Sequence, residues 1–167
     1  VARKALRVNL SDLAAKGANP AGCLLALALP EGTGDDWLRP FASGLQSDCD
    51  LFGCPLYGGD TVRTEGPLWV SITAFGTLPR GTMVKRAGAK PGDRVFVTGT
   101  IGDAALGLAL LREPETVAMW SLSDDEAGAL IGRYRVPHPR VPLAEAVRAL
   151  ASAAMDVSDG LAGDLAK

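Results

Sequence analysis

The sequence contains little of three things that would point to particular classes of protein: histidine, cysteine and long hydrophobic segments. Its only histidine is His138, and a single histidine cannot build a histidine-rich zinc site. The three cysteines, Cys23, Cys49 and Cys54, have none of the spacings of a paired metal knuckle or a redox Cys-x-x-Cys motif. We therefore expect the cysteines to be small core residues and His138 to lie at the surface.

An excess of charge of one sign is also absent. Lys and Arg number 17 against 19 Asp and Glu, and the net charge of -2 provides no basic field for nucleic acid or anionic lipid. The longest apolar run, residues 21–29, is much shorter than the roughly 20 residues that span a bilayer, and no basic leader precedes an apolar segment. We expect a soluble cytoplasmic protein that binds neither nucleic acid nor membrane.

Two patterns that mark common nucleotide-binding folds are missing or incomplete. The P-loop pattern Gly-x-x-x-x-Gly-Lys-Ser/Thr does not occur, which excludes a P-loop kinase. Gly99 and Gly102 resemble the start of a dinucleotide fingerprint, but its third glycine is misplaced. About 20 residues further on, Met119 and Trp120 stand where that fingerprint needs an acid for the ribose. We therefore expect the two glycines to form a tight turn.

Three short acidic segments follow apolar segments and lie far apart in the chain. They are Ser11-Asp12, Gly58-Gly59-Asp60-Thr61 and Asp156-Val157-Ser158-Asp159-Gly160-Leu161. Carboxylate and hydroxyl oxygens are hard ligands that suit Mg²⁺, which proteins usually hold by a few carboxylates together with substrate phosphates. The pattern indicates converging metal ligands and phosphoryl transfer from a nucleotide.

Each acidic segment also has an ordinary structural explanation. Consecutive glycines before Asp60 are common in hairpin turns, and Ser158 or Asp159 at a strand-to-helix junction is typical of a helix N-cap. A cap accounts for only one of the two acids Asp156 and Asp159, however. Asp12 lies inside a helical pattern, where most aspartates simply face water. No segment taken alone decides between ligand binding and a structural role.

A basic pair, Lys85 and Arg86, lies in a segment rich in glycine and proline, a composition typical of linkers. These charges are either solvated or positioned so that the guanidinium bridges phosphate oxygens as charge moves to a leaving group. We place a domain boundary near Gly81, which divides the chain into residues 1–80 and 81–167.

Helical and strand patterns alternate along the chain, so we expect the α/β or α+β class. Helices are predicted over residues 6–17, 38–52, 103–111, 123–134 and 142–151 and from residue 161, and strands over residues 23–29, 55–57, 69–75, 94–98 and 153–157. The last strand would deliver Asp156 to its carboxyl end. Val1 is not an initiator Met, and both terminal helices lack caps, so we expect an interior piece of a longer protein.

With these residues in view, the chain resembles the thiamine-monophosphate kinase family. That family belongs to a superfamily that also includes aminoimidazole ribonucleotide synthetase, selenophosphate synthetase and a hydrogenase maturation factor. Five segments match in the family's order: residues 9–18, 58–61, 84–93, 97–103 and 155–164. Relatives within the superfamily tend to carry Glu or His at the position of Asp60, so this position follows the kinase. Where the family has Met in the first of these segments, this chain has Lys16, at a helix position that we expect to be exposed.

The resemblance implies ATP- and Mg²⁺-dependent phosphorylation of thiamine monophosphate to thiamine diphosphate by direct transfer. It implies four Mg²⁺ ligands, Asp12, Asp60, Asp156 and Asp159. It further implies nucleotide contacts by Gly58, Gly59, Asp60 and Ser158, and a contact of Arg86 with the ATP phosphates. The implied fold has two α/β domains, with the N-terminal sheets of two subunits joined across a homodimer interface.

Two alternatives to this function remain at the level of sequence. The first is another ATP-dependent enzyme of the superfamily, against which Asp60 argues. The second is a nucleotide-binding domain without catalysis. The segments of the family that precede and follow this chain carry further parts of the site, so we expect the isolated piece to be inactive.

Overall fold

The computed structural model describes residues 1–166, which form three β-strands and seven α-helices. The strands are β1 (Asn19–Pro30), β2 (Leu56–Thr64) and β3 (Trp69–Thr77). The helices are α1 (Ala2–Ala15), α2 (Asp35–Phe52), α3 (Asp103–Arg112), α4 (Thr116–Met119), α5 (Asp124–Arg135), α6 (Ala144–Leu150) and α7 (Leu161–Leu165), with a 3-10 helix at Val141–Leu143 before α6. The predicted mixture of helices and strands is confirmed.

The strands form one sheet in the order β2-β1-β3. Strand β1 pairs with β2 in parallel and with β3 antiparallel. Helix α2 connects the two parallel strands, because such strands need a crossover rather than a tight turn. The central strand places Ala28 opposite both Val62 and Trp69, which therefore lie on the same face of the sheet.

The core of this part of the fold lies between the sheet and helices α1 and α2. Its buried apolar residues are Ala2, Leu6, Leu10, Cys23, Leu27, Leu29, Phe41, Leu45, Cys49 and Cys54. All three cysteines are free thiols, and burial is the main cause that raises the pKa of Cys23 and of Cys49 to about 11. The prediction that they are core residues is confirmed.

A buried ion pair joins α1 to α2. The guanidinium of Arg7 donates to both carboxylate oxygens of Asp48, at 2.5 and 2.7 Å, and Arg3 donates to the same carboxylate at 3.2 Å. Asp48 is 1% exposed. Burial opposes its charged form most strongly, but the hydrogen bonds and charge of Arg7, then of Arg3, lower the pKa of Asp48 overall. The pair therefore fixes the two helices against each other.

Contacts between residues divide the chain into two compact units. The first comprises Val1–Ala89 and Pro139–Asp156, and the second comprises Lys90–His138 and the described residues from Val157 onward. Each unit is thus built from two separate pieces of the chain. The predicted domain boundary after residue 80 concerns the whole protein and stays a prediction.

Helices α3 and α5 are the main elements of the second unit, and their packing depends on a glycine. A Cβ atom at Gly107 would lie 2.1 Å from the backbone oxygen of Leu130, so a side chain there would force the two helices apart. Helix α5 begins with a capping box, in which Ser123 accepts from the backbone of Glu126 and donates its own N–H to the Glu126 carboxylate. This confirms the helix predicted over residues 123–134.

Two predicted strands do not form, over residues 94–98 and 153–157. Phe96, in the middle of the first, is 83% exposed. A strand needs a neighbour to satisfy its backbone donors and acceptors, and the three strands of the described chain pair with one another. Within residues 1–166, no helix has the length and apolar character needed to cross a membrane.

Candidate functional site

The exposed side of α1 and the segment that follows α6 bring two of the predicted metal ligands together. Asp12 lies on α1, and Asp156 lies in the extended segment of residues 151–157, both within the first unit. The carboxyl groups of Asp12 and Asp156 are in hydrogen-bond contact.

The environment of this pair makes the carboxyl group of Asp12 easier to protonate than in water. Desolvation of its carboxyl group by neighbouring atoms is the largest cause that raises the pKa of Asp12, followed by the hydrogen bond to Asp156 and repulsion by its charge. The positive charge of Lys16 opposes this rise. Because two carboxylates in contact repel each other, a divalent cation bound between them would relieve that repulsion.

Lys16 is a residue of this site whose importance the sequence analysis underestimated. It was expected at an exposed position, but it is half-buried, and its ammonium donates to the backbone oxygen of Ala154 at 3.3 Å. Lys16 thus anchors the segment that carries Asp156 and places a positive charge near Asp12. The signal available in the sequence was the spacing of four between Asp12 and Lys16, which puts both on one side of a helix.

The segment that carries Arg86 is fixed beside the same elements. The backbone N–H of Val84 donates to the oxygen of Lys16 at 3.3 Å, and that of Ala154 donates to the oxygen of Lys85 at 3.2 Å. A Cβ atom at Gly88 would lie 2.2 Å from the oxygen of Ser152, so the two segments run in close contact. The side chain of Arg86 itself is exposed. Its backbone is therefore held near the Asp12–Asp156 pair while its guanidinium remains accessible.

The hairpin turn that was the structural alternative at Gly58-Gly59-Asp60 does not form, because β2, expected over residues 55–57, continues as far as Thr64. Gly59 pairs with Leu25 of β1, and a Cβ atom at Gly59 would lie 1.7 Å from the Leu25 oxygen. The glycine is thus required by close backbone approach inside the sheet. Asp60 is exposed, and its carboxylate accepts from the N–H of Thr61 at 2.8 Å.

The loop with Ser158 and Asp159 belongs to the second unit, and both residues are exposed. The alternative that one of these side chains caps α7 is wrong, because the N-cap of α7 is Gly160 and no side chain caps it. Instead, the backbone N–H groups of Ser158 and Asp159 both donate to Asp164, at 2.9 and 3.0 Å. Asp164 was part of a matched motif, but the sequence analysis assigned it no role.

The carboxylate oxygens of the first unit suit a magnesium ion that also binds phosphate. Mg²⁺ is commonly bound through one or two protein carboxylates, with water and substrate phosphates as the remaining ligands, and Asp12 and Asp156 supply such a pair. Among residues 1–166, no group of three or more His, Cys, Asp or Glu side chains is placed to hold a metal ion. The convergence of Asp60 and Asp159 on this pair stays a prediction.

An open depression of about 430 Å³ lies elsewhere in the first unit, around the loop between β1 and α2. It is lined by residues 30–34, Asp36, Trp37 and Leu68. None of the residues predicted to bind metal or nucleotide lines it. The depression therefore adds nothing to the candidate site.

Comparison with known proteins agrees with the motifs. Residues 1–78 match the family model described as AIR synthase related protein, N-terminal domain. The chain is 52% identical over 164 residues to a thiamine-monophosphate kinase of Caulobacter vibrioides, a match that covers 98% of this chain and 44% of that protein. The chain thus spans about half the length of the curated relatives it matches.

Solved structures give the same result at the level of the fold. The crystal structure of thiamine-monophosphate kinase from Stenotrophomonas maltophilia matches with a TM-score of 0.85 and 46% identity, over 98% of this chain and 51% of that one. AaThiL complexed with AMPPCP and TMP matches with a TM-score of 0.85 and 34% identity, over 96% of this chain and 50% of that one. The predicted resemblance and the superfamily fold are therefore confirmed.

Proposed function

We propose, since the chain belongs to the thiamine-monophosphate kinase family, that the protein containing it phosphorylates thiamine monophosphate with ATP to give thiamine diphosphate. The observation that carries this proposal is the contact between Asp12 and Asp156, with the segment of Arg86 bound alongside. Two acids from opposite ends of the chain, with a basic residue on a segment bonded to the same elements, suit a site that receives a cation and phosphate groups. The AMPPCP and TMP bound in the related AaThiL structure support ATP and thiamine monophosphate as the substrates.

We assign Mg²⁺ to the carboxylates of Asp12 and Asp156, with Asp60 and Asp159 as further ligands in the complete site. When bound, the metal would neutralise the phosphate oxygens of both substrates and so reduce the repulsion between them. In the absence of metal, the positive charge of Lys16 offsets part of the repulsion between Asp12 and Asp156. We assign Gly58, Gly59 and Ser158 to contacts with the nucleotide.

The transfer itself requires little acid-base chemistry. An oxygen of the thiamine monophosphate phosphate group attacks the γ-phosphorus of ATP in line, a new phosphorus–oxygen bond forms, and the bond to the β,γ-bridging oxygen breaks to release ADP. The attacking oxygen is already ionised near neutral pH, so no general base is needed. Arg86, whose exposed side chain lies on the segment bonded to Lys16 and Ala154, would donate two parallel hydrogen bonds to the phosphate oxygens as charge moves to ADP.

The proposal includes a homodimer in the cytoplasm. One face of the sheet carries large apolar side chains that are exposed in this chain, among them Val62 at 51% and Trp69 at 57%. Exposed apolar side chains grouped on one face of a sheet are typical of an interface. The three cysteines are free thiols, as expected for a protein of a reducing compartment.

The proposed reaction is tested with the purified full-length protein, ATP, Mg²⁺ and thiamine monophosphate. Phosphorus NMR should show the diphosphate product, and ATP with a chiral, isotopically labelled γ-phosphate should give inversion at phosphorus if the transfer is direct and in line. Retention would indicate a phosphorylated enzyme intermediate. Nucleotide binding without product, or turnover only with another acceptor, would replace the proposal by one of the two alternatives.

We predict that Asp60→Asn in the full-length protein abolishes turnover at limiting Mg²⁺ and leaves the fold unchanged. The amide preserves the shape of the side chain but lacks the charge that a cation requires. Glu65→Gln, an exposed acid just beyond β2, serves as the matched control and should leave turnover unchanged. Turnover of Asp60→Asn equal to that of the control would show that this position serves only the strand.

A further inference from the structure

The loop that precedes α7 is held from within by a buried acid. Asp164 is 3% exposed, although the helix on which it lies is short and many of its neighbours are exposed. One oxygen of its carboxylate, Oδ2, accepts the backbone N–H groups of both Ser158 and Asp159. A single buried carboxylate oxygen thus fixes the backbone at two successive residues.

This arrangement is unusual enough to require a physical reason. An aspartate is rarely buried to this degree unless it is paired, because its charged form loses hydration. Hydrogen bonds from backbone N–H groups to a carboxylate are stronger than those between neutral groups and compensate for that loss. No strand contains the residues of this loop, and Gly160 at its end has a φ of 113°. Regular secondary structure does not fix the backbone of this loop, and the contacts of Asp164 therefore help to define it.

The side chains of Ser158 and Asp159 indicate why their backbone is fixed. Ser158 and Asp159 are exposed, whereas the acid that holds their backbone is buried. We propose that Asp164 is a positioning residue for phosphoryl transfer, which presents the Asp159 carboxylate and the Ser158 hydroxyl in a fixed arrangement to the Mg²⁺–nucleotide complex. This inference rests on the proposed function. In this proposal Asp164 acts on the loop backbone through its Oδ2 and is not itself a ligand of the metal or the nucleotide.

The test compares Asp164→Asn with Asp164→Ala in the full-length protein. The carbonyl oxygen of Asn can still accept both N–H groups, whereas Ala has no acceptor. We expect Asp164→Ala to raise the Mg²⁺ concentration for half-maximal turnover by about 10–100-fold, as is common when a group supporting a metal ligand is lost. The Mg²⁺ concentration for half-maximal turnover of Asp164→Asn should remain within about threefold of the wild-type value. Asp125→Ala, which removes an exposed acid from the first turn of α5, should change nothing.

A second readout requires neither metal nor turnover. Amide hydrogen exchange, measured by NMR without Mg²⁺ or nucleotide, reports directly on the N–H groups of Ser158 and Asp159. We expect their protection to fall by about tenfold or more in Asp164→Ala and to persist in Asp164→Asn. If Asp164→Ala does not fold, Asp164→Glu takes its place, because it retains the charge but displaces the acceptor by one methylene group.

The outcomes separate this inference from the proposed function. Unchanged amide protection, or an unchanged Mg²⁺ requirement in an active enzyme, would overturn the positioning role. Equal losses in Asp164→Asn and Asp164→Ala would also overturn it, because charge rather than hydrogen-bond geometry would then decide, as expected of a direct metal ligand. If wild-type protein shows the amide protection but no transfer to thiamine monophosphate, the proposed function fails and with it the catalytic purpose of the positioning.

Discussion

At the scale of single residues, the contact between Asp12 and Asp156 is the feature that most needs an explanation. Two acids in contact destabilise a fold unless a proton, a basic side chain or a metal ion compensates their charges. In this chain Lys16 supplies part of this compensation, and its ammonium also donates to the oxygen of Ala154. Such a pair binds a cation readily, because the charge repulsion is already present before the cation arrives.

We predict that Asp12→Asn stabilises the full-length protein at neutral pH in the absence of divalent metal. The pKa of Asp12 is raised in the folded state, so its charged form disfavours folding. The gain in melting temperature should be absent below the ordinary pKa of 3.8, appear as pH rises above it, and reach its full size above the raised folded pKa. Thermal unfolding in EDTA from pH 3 to pH 8 measures it.

The control for this experiment is Asp36→Asn, an exposed acid in the first turn of α2. It should not reproduce the pH dependence. A loss of stability in Asp12→Asn at pH 7 without metal would show that the carboxylate takes part in a stabilising contact rather than a repulsive one.

We predict that Arg86→Lys lowers turnover more than it weakens ATP binding. Lysine preserves the positive charge but cannot donate two parallel hydrogen bonds, and loss of one donor to the transition state lowers the rate by about 10²–10³-fold. Steady-state kinetics with ATP and thiamine monophosphate measure the effect. Arg80→Lys, at an exposed position in the same segment, should behave as wild type. A rise in KM alone would mean that Arg86 contributes only charge.

At the scale of elements, the buried pair between Arg7 and Asp48 fixes α1 on α2. We predict that Asp48→Asn destabilises the protein by roughly 3–5 kcal/mol at pH 7, because Arg7 is left buried without its counter-charge. The pKa of Asp48 is lowered in the folded state, so its stabilising effect is complete above 3.8 and is lost as pH falls through the folded pKa. Denaturant unfolding of mutant and wild type should show a smaller difference in the free energy of unfolding at pH 3 than at pH 7.

Asp50→Asn is the matched control on the same helix, since Asp50 is exposed and accepts from Gln46. Its effect should stay within about 0.5 kcal/mol at both pH values. If Asp48→Asn were no worse than this control, the buried pair would be replaceable by a neutral hydrogen bond.

At the scale of the whole molecule, the exposed face of the sheet that carries Val62 and Trp69 is expected to be the dimer interface. We predict that Val62→Glu in the full-length protein raises the dissociation constant of the dimer about a hundredfold or more, because burying an unpaired charge costs several kcal/mol. Sedimentation velocity over a range of concentrations measures it. Val95→Glu, at a position 66% exposed in the second unit, should leave the dimer intact. A monomeric wild type would refute the proposed interface.

The helices and the type of chemistry could be predicted from the sequence because both depend on local information. A helix satisfies its backbone hydrogen bonds within one turn, so the periodicity over residues 38–52 or 123–134 was sufficient to find α2 and α5. The acids that suit Mg²⁺ are likewise visible as residue types in matched motifs.

Only the tertiary structure decided which distant groups meet. The strand at Gly58–Asp60 continues because β1 lies beside it, and the strand predicted over residues 94–98 fails because no neighbour pairs with it in the described chain. The sequence predicted that Asp12 and Asp156 converge, but it could not show that their carboxyl groups are in direct contact, and it gave no sign of the hydrogen bonds from the loop to Asp164. Sheet pairing and burial depend on groups far apart in sequence, whose positions are set only when the whole unit packs.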